Sequence, residues 1–571
     1  MCGKSSTTRS RGWMEQLVLL LPVIPIISAL MTQLLSSSMG RRVSQISVIG
    51  GTLTFALAST LLLMVLMGYP VAHYSFGETW GSLYFDPLAV LMSTVIAAIS
   101  LLVRIYSVRY MAEEYGYGRF FVLLDVMSAS LILMVAAADM ITLLVAWHLI
   151  GVFLYFLLGH ETRSFSAFRY GFWTFITYRF GDLPLVLAAA VLFHTFDSWS
   201  LPEIFAAIEA NPDVTTFFGF RVVEVVGSLI AVSAFARSAQ FLVHTWLPYT
   251  MEGPTPVSAL MHAGIVNAGG ILLNRFAPLY LQTDSVLHWI FLVGLITAVI
   301  GSILMLAQSD IKKALGYSTM GQMGFMIMEC GVGAFSLAIF HLIAHGLFKG
   351  TLFLSAGSVI NQARKHDGVP KDELYQFIVE RRPTRKHFPW LAMAILTIVV
   401  PAFVLFSSHF AVAPDLLEKQ GAIILLFFGW VTGAQVLFST YQMDTHHPWR
   451  LLLLVMTTFV IVVLGYTFIS HAFDVFLFPD AAFAHQLYVA AGTDTLLFTL
   501  ASISIALLIV ATWLRTYWKE SHFVHDVVTR HWARNFYAIV SREFHVSDVY
   551  KHLSQWAINL SARTNIWLRW G

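Results

Sequence analysis

The sequence predicts an all-α polytopic membrane protein of about fifteen transmembrane helices with an amphipathic C-terminal tail, and three observations predict it. Hydrophobic residues fill 57% of the 571 positions and charged ones only 12%, about half the charge of an average soluble domain. Apolar runs of roughly 20 residues recur along the chain, the length that crosses a bilayer core as a helix. These runs are far longer than the roughly ten alternating residues of a β-barrel strand. The composition excludes a water-soluble enzyme and a disordered chain. A formal net charge of +2 is too small for a phosphate-binding field, so no nucleic-acid partner is expected. Cys2 and Cys330 offer neither a disulfide framework nor a metal cluster, and no metal or cofactor is expected in this chain.

The spans read in order at 16–37, 43–68, 87–107, 120–138, 140–159, 166–195, 222–246, 257–280, 284–308, 311–330, 333–360, 388–411, 421–442, 449–470 and 493–515. The first lacks a small-residue cleavage site and runs on into the bundle, so no cleavable signal peptide is expected. The short connections hold most of the Gly, Pro and charge. Pro248, Pro254 and Pro256 bracket the seventh and eighth spans, and Pro401 lies in the twelfth. A membrane proline frees a carbonyl that something else must satisfy. Transporters place such breaks beside ion sites, although a plain packing kink produces the same sequence. After the fifteenth span, 516–571 alternates Trp532, Phe536, Tyr537, Tyr550, Trp556, Trp567 and Trp570 with Arg, His and Lys. Such segments suit a membrane surface or a docked partner.

Positive charge orients the bundle. With the loop after the first span placed in the cytoplasm, most of the 34 lysines and arginines fall on one side. They are Arg41, Arg42, Arg104, Arg109, Arg119, Arg163, Arg169, Lys312, Lys313, a cluster between Arg364 and Lys386, Arg450, and those from Arg515 onward. The other side holds Arg221, Arg275 and Lys419. Lys4, Arg9 and Arg11 in the N-terminal extension break the rule. The expected orientation has the N-terminus outside and the C-terminus in the cytoplasm.

Three positive residues are left inside spans: Arg179, Arg237 and Lys349. An ionisable group at mid-membrane costs at least about 2.5–3.5 kcal/mol, so it normally faces a partner or a wet cavity. Asp182 follows Arg179 by three residues, and this pair reads equally as a structural bridge and as a functional one. Arg237, Gln240 and His244 step along one helix face. His341, His345 and Lys349 form one polar stripe at i, i+4 and i+8. The His341–His345 spacing matches a zinc-binding helix, but no glutamate lies between them and no third ligand is evident, so no metal is expected. His148 and His262 add two more intramembrane imidazoles, each also readable as a hydrogen-bonded core residue. Together these groups suggest a water-filled proton or ion path.

The runs HTWLPYTMEGPTPVSALMHAGIVNAG (244–269), DIKKALGYSTMGQMGFM (310–326) and FHLIAHGLFKGTLFLSAGSVI (340–360) resemble the proton-conducting subunit family. That family contains chain 5 of the NADH–quinone oxidoreductases and the large Mrp-type antiporter subunits. The resemblance is strong from about residue 80 to 360 and fades beyond about 400. It implies two five-helix repeats of inverted topology at 120–280 and 284–442, with discontinuous helices. Residues 1–119 would be N-terminal helices, 443–515 the last two spans, and 516–571 a cytoplasmic tail. It also implies a buried charged path in which His262, His341, His345 and Lys349 match the family's own residues. Arg179 and Asp182 match its R-x-G-D segment.

Several positions depart from the family pattern. His148 stands in WHLIG where the family has a glutamate, and Arg237 stands where it has a lysine. Arginine effectively does not deprotonate, so Arg237 would be a fixed charge. Leu242 replaces an expected proline in the seventh span. Ser407, Ser408 and His409 occupy the region of the usual lysine exit in the twelfth, with Ser408 and His409 the candidate substitutes. These losses and the short tail look most like the membrane subunit of DAB-type inorganic carbon accumulation complexes. In that branch the partner, DabA, is a large cytoplasmic zinc-binding subunit resembling a β-type carbonic anhydrase. The zinc would belong to the partner, and protons or Na+ would cross through this chain in a bacterial inner membrane. A redox-driven NADH–quinone subunit and an independent cation/proton antiporter remain alternatives.

Overall fold

A computed structural model describes residues 4–363 apart from a few loop positions, parts of 399–511, and 531–568. Among the described residues, eight helical segments are long and apolar enough to cross a membrane. The chain divides into two compact units. The first comprises 1–273, 292–328 and 525–571, and the second comprises 274–291 and 329–524. The predicted spans 421–442 and 493–515 fall largely outside the described residues, and 388–411 does so up to residue 398.

The first unit opens with α1 (Lys4–Met39) and α2 (Ser44–Leu66), joined by a 3₁₀ turn that begins where Gly40 adopts φ 53°. Next come α3 (Pro87–Tyr110), α4 (Tyr117–Ala136), α5 (Met140–Leu158) and α6 (Phe165–Phe196). Their starts are set by side-chain caps. Asp86 accepts from Ala89 N, Asp139 from Thr142 N and Ser164 from Ala167 N. The short helix α7 (Leu201–Ala210) precedes α8 (Val222–Arg237).

Two elements go beyond the predicted all-α set. Residues 72–75 and 82–85 form β1 and β2 of an antiparallel hairpin, in a stretch expected to be a loop. The alternation in Ala72–Ser75 and Ser82–Phe85, with the intervening glycines, is the signal that the span search passed over. Asp139 ties this hairpin to α5 by accepting from Ser82 N at 2.8 Å, and Leu201 N donates to Ala138 O at 2.8 Å. The loops after α2, α4 and α6 therefore meet at one end of the unit. At the other end Arg119 donates to the His160 carbonyl at 2.7 Å and Tyr110 bonds Thr255 at 3.0 Å. Loops of alternating parity gather at opposite ends, as a serpentine membrane topology requires.

The seventh span ends early. It is expected to reach 246, yet α8 stops at Arg237 and the chain turns through 238–250. The first proline beyond Arg237 is Pro248, so none starts the break. Ala239 (φ 48°) and Leu242 (φ 75°) adopt left-handed backbone instead. The eighth span is also discontinuous. It consists of α9 (Thr255–Leu260), a π-helical turn Met261–Ile265, α10 (Ala268–Arg275) and α11 (Ala277–Tyr280). Residues 256–274 of it are all buried. The chain continues in α12 (Val286–Leu306) and α13 (Ile311–Gly331). The second unit contains α14 (Phe335–Ala363), α15 (Val400–Val412), α16 (Pro448–Leu477) and α17 (Ala481–Ala490). In the first unit, α18 (His531–Ser541) and α19 (Val546–Leu568) form the described part of the tail.

One charge was misplaced by counting loops. Arg104 is not a cytoplasmic loop residue. It is 2% exposed inside α3, paired with the fully buried Asp125 of α4 at 2.8 Å. Ser28 and Ser47 donate to Asp125 at 2.8 and 2.7 Å, and Arg104 also donates to Ser128 at 2.9 Å. Arg104 lies about five turns into an apolar helix that continues to Tyr110, so the charge is carried within the helix rather than by the loop after it.

Candidate ion-translocation site

The first unit gathers three predicted residues around the carboxylate of a fourth. Asp182 lies in α6 and Arg237 is the last residue of α8. These helices approach closely because Gly181 has no side chain: a Cβ there would lie 2.5 Å from the Cβ of Ala236. Arg237 Nη2 then reaches Asp182 Oδ1 at 3.2 Å, with no exposed area on the arginine side chain. Its guanidinium lies over the Tyr178 ring at 4.1 Å and the Trp147 ring at 4.5 Å, and Nη2 also donates to the Trp147 carbonyl. Two aromatic faces and a carboxylate replace the water this charge gives up.

The other carboxylate oxygen serves a second cation. Arg179 Nη2 lies 2.9 Å from Asp182 Oδ2, and His148 Nδ1 lies 3.3 Å from the same oxygen. Arg179 Nη1 also contacts both ring nitrogens of His148, with Nε2 at 2.8 Å. Asp182 therefore balances two guanidinium groups, with an imidazole as the third neighbour. His148 is 53% exposed by side chain, so it stands at the edge of this centre rather than inside a sealed path.

Beyond Arg237, the interrupted helix is completed by side chains. Trp246 Nε1 donates to Ala236 O at 3.2 Å, Phe241 N donates to Thr297 Oγ1 at 3.0 Å, and Tyr550 of the tail donates to Leu242 O. A broken membrane helix persists only when its freed backbone groups are met in this way. His244 follows the break. It is fully buried, stacks on Phe241 with ring centroids 5.7 Å apart, and neither ring nitrogen has a hydrogen-bond partner among the described residues. His262 is fully buried in the π-helical turn of the eighth span, a distortion that recurs at functional sites.

The second unit holds a separate polar line. His341, His345 and Lys349 follow one face of α14, with His345 6% and Lys349 2% exposed. At its start His341 Nδ1 lies 3.2 Å from both carboxylate oxygens of Glu329, itself 1% exposed. Ser408 and His409 belong to α15, and their side chains lie outside the described ones. No group of three metal-ligating side chains occurs among the described residues.

Sequence reasoning missed Asp125, Arg104 and Glu329. The signal was available: an acid within an apolar span is as informative as a base. Sorting only the positive residues by depth left Asp125 and Glu329 unread.

Similarity to known proteins follows the same segments. A family model described as NADH:quinone oxidoreductase/Mrp antiporter, transmembrane, matches residues 137–437, and one for the complex I chain 5 N-terminus matches 80–121. The chain is 54% identical over 562 residues, 98% of this chain and 100% of the relative, to the probable inorganic carbon transporter subunit DabB1 of Halothiobacillus neapolitanus. It is 37% identical over 308 residues to the chloroplastic NAD(P)H-quinone oxidoreductase subunit 5 of Ipomoea purpurea, covering 53% of this chain and 43% of that one. Among solved structures, the Mrp complex from Dietzia sp. shares the fold with TM-score 0.61 and 24% identity, over 96% of this chain and 60% of that one. An archaeal membrane-bound sulfane sulfur reductase shares it with TM-score 0.54 and 19% identity, over 88% and 96%.

Proposed function

The chain belongs to the NADH:quinone oxidoreductase/Mrp antiporter family of multi-pass, ion-translocating membrane subunits, and we propose that it energises inorganic carbon uptake. In this reading protons or Na+ flow inward through the chain, and their free energy drives CO2 hydration to bicarbonate in a DabA-like cytoplasmic zinc partner. The observation that carries the reading is the 54% identity along the whole of an inorganic carbon transporter subunit. The chloroplastic redox-complex relative matches only about half of this chain, which weakens the NADH–quinone alternative. About 2.3 kcal/mol is available per elementary charge per 100 mV of membrane potential, enough to bias hydration strongly.

The proposed path uses Asp182, Arg179, His148, Arg237, His244 and His262 in the first unit and His341, His345 and Lys349 in the second. Ser408 and His409 are the proposed exit. Two inverted repeats at 120–280 and 284–442 would carry it, in a bacterial inner membrane with the N-terminus outside and the C-terminus in the cytoplasm. Arg237 acts as a fixed charge. A proton arriving on His148 adds a third positive charge beside Asp182. The added charge competes for Oδ2 with Arg179 and loosens the shared carboxylate. The centre thus responds to protonation without an arginine ever losing its proton.

Co-purification and rescue test this reading together. The tagged chain is expected to retain a large zinc protein, and the pair to restore growth in air to a carbonic-anhydrase-deficient strain. Asp182→Ala, His345→Ala and Lys349→Ala are each expected to abolish rescue while the protein remains in the membrane. Iron–sulfur or flavin subunits in the purified complex would overturn the carbon-pump reading. Growth of all three variants would overturn the path.

A further inference from the structure

The tail places a carboxylate at the end of the unit where the loops after α3, α5, α8 and α12 meet. Between α18 and α19, Glu543, Phe544 and His545 adopt φ of 56°, 54° and 59°. Left-handed backbone costs roughly 1–2 kcal/mol per residue outside glycine, and three in succession persist only where the surroundings hold them. What holds them is the break after α8. Phe544 packs edge-on against Phe241 at 6.3 Å, Tyr550 packs against Trp173 at 5.3 Å, and the Tyr550 hydroxyl donates to Leu242 O.

The strained turn aims Glu543 inward. Its side chain is 7% exposed, and Tyr249 donates to Oε1 at 2.9 Å while Ser547 donates to Oε2. Tyr317 of α13 also faces this carboxylate, and the ring of His244 lies 6.5 Å from the Tyr317 ring, centroid to centroid. His244 is the buried imidazole whose ring nitrogens have no hydrogen-bond partner among the described residues. Tyr249 also lines a cavity of about 460 Å³ shared with Tyr110, His160, Asp310 and Lys313. Lys313 Nζ lies 5.1 Å above the Tyr249 ring. A line of polar groups therefore leads from the cavity through Tyr249, Glu543 and Tyr317 to His244.

We propose that Glu543 is the proton-exchanging group at the mouth of the path, supplied by the tail rather than by the membrane core. This rests on the reading that the chain conducts protons. A proton leaves a ring nitrogen of protonated His244 and binds a carboxylate oxygen of Glu543, leaving neutral imidazole and carboxylic acid. The acid then releases the proton to water in the cavity, which restores the carboxylate and leaves His244 neutral until the path delivers its next proton. The reverse sequence loads the path from the same end.

The test is proton flux into proteoliposomes containing the full-length chain with its co-purifying subunits, read by an enclosed pH dye under an imposed potential. Glu543→Gln keeps the shape and the bond from Tyr249 but removes the exchangeable proton. Flux is expected to fall by about a hundredfold, the scale of a lost acid–base group, at unchanged thermal stability. Glu543→Asp is expected to keep flux with a shifted pH midpoint. Tyr550→Phe, which removes only the tail's bond to Leu242 O, is expected to leave the pH midpoint in place. Glu543→Gln conducting like the wild type would overturn the proposal. So would losses in Glu543→Gln and Tyr550→Phe that match, with no change of pH profile in Glu543→Asp. A wild-type chain that passes no protons would overturn the conduction reading itself.

Discussion

Asp125 and Asp182 solve the same problem in different ways. Each is a membrane-depth carboxylate facing an arginine. Asp125 is fully paired and hydrogen-bonded, receiving Arg104, Ser28 and Ser47, and nothing about it is left to exchange. Asp182 is shared by two arginines and an imidazole, so its bonds compete. The first arrangement suits a lock and the second a relay. Breaking a buried pair by removing one member typically costs about 3–5 kcal/mol, whereas replacing both with apolar groups is often neutral. Arg104→Ala is therefore expected to lower thermal stability sharply, and Arg104→Met combined with Asp125→Leu to recover most of it with ion transport intact. Melting curves of the purified variants and flux in liposomes check both halves. Loss of transport in a stable double variant would move Asp125 into the path.

Helix packing sets the geometry of that relay. The α6–α8 contact at Gly181 decides how far Asp182 stands from Arg237, because the two residues are chain neighbours of the touching atoms. Gly181→Val is expected to push the helices apart, costing about 1–3 kcal/mol as overpacking usually does. Transport is expected to fall further than stability alone explains. Gly465→Ala in α16, where an added Cβ meets no atom of the described residues within 4 Å, is the control. The eight described membrane-length segments were legible in the sequence as apolar runs because bilayer thickness imposes their length directly. The break after Arg237 was not, since Leu242 takes a left-handed conformation in place of the proline that normally announces it. The π-helical turn at His262 was equally hidden, because its local sequence is that of an ordinary apolar helix.

At the scale of the whole molecule, the loops sort by parity. Glu203 and Phe217 lie at the hairpin end of the first unit, and Glu114 and Glu161 at the cavity end, all exposed. In a Cys2→Ser background, cysteines at 203 and 217 are expected to react with an impermeant maleimide added outside the cell. Cysteines at 114 and 161 are expected to react only after the membrane is opened. The opposite pattern would invert the proposed orientation, and a mixture within one end would contradict the serpentine topology. Charge counting reached this arrangement despite misplacing Arg104, because the rule averages over many residues. The candidate site was legible only in part: Asp182, Arg237 and Lys349 stand out as charges in apolar runs. Glu543 lies in a polar tail, where one acid among many carries no signal of depth.

The bond from Tyr550 to the Leu242 carbonyl closes a separation of 308 residues. A ribosome releases the broken helix long before it makes the residue that completes it. Until the last segment emerges, the carbonyl at the break is unmet and Glu543 is absent from its place beside Tyr249. A chain cleaved between the last span and the tail would therefore sit in the membrane with its helices made and, under the proposed role of Glu543, its proton route unfinished. Under that proposal the order of synthesis itself keeps such an incomplete subunit from conducting.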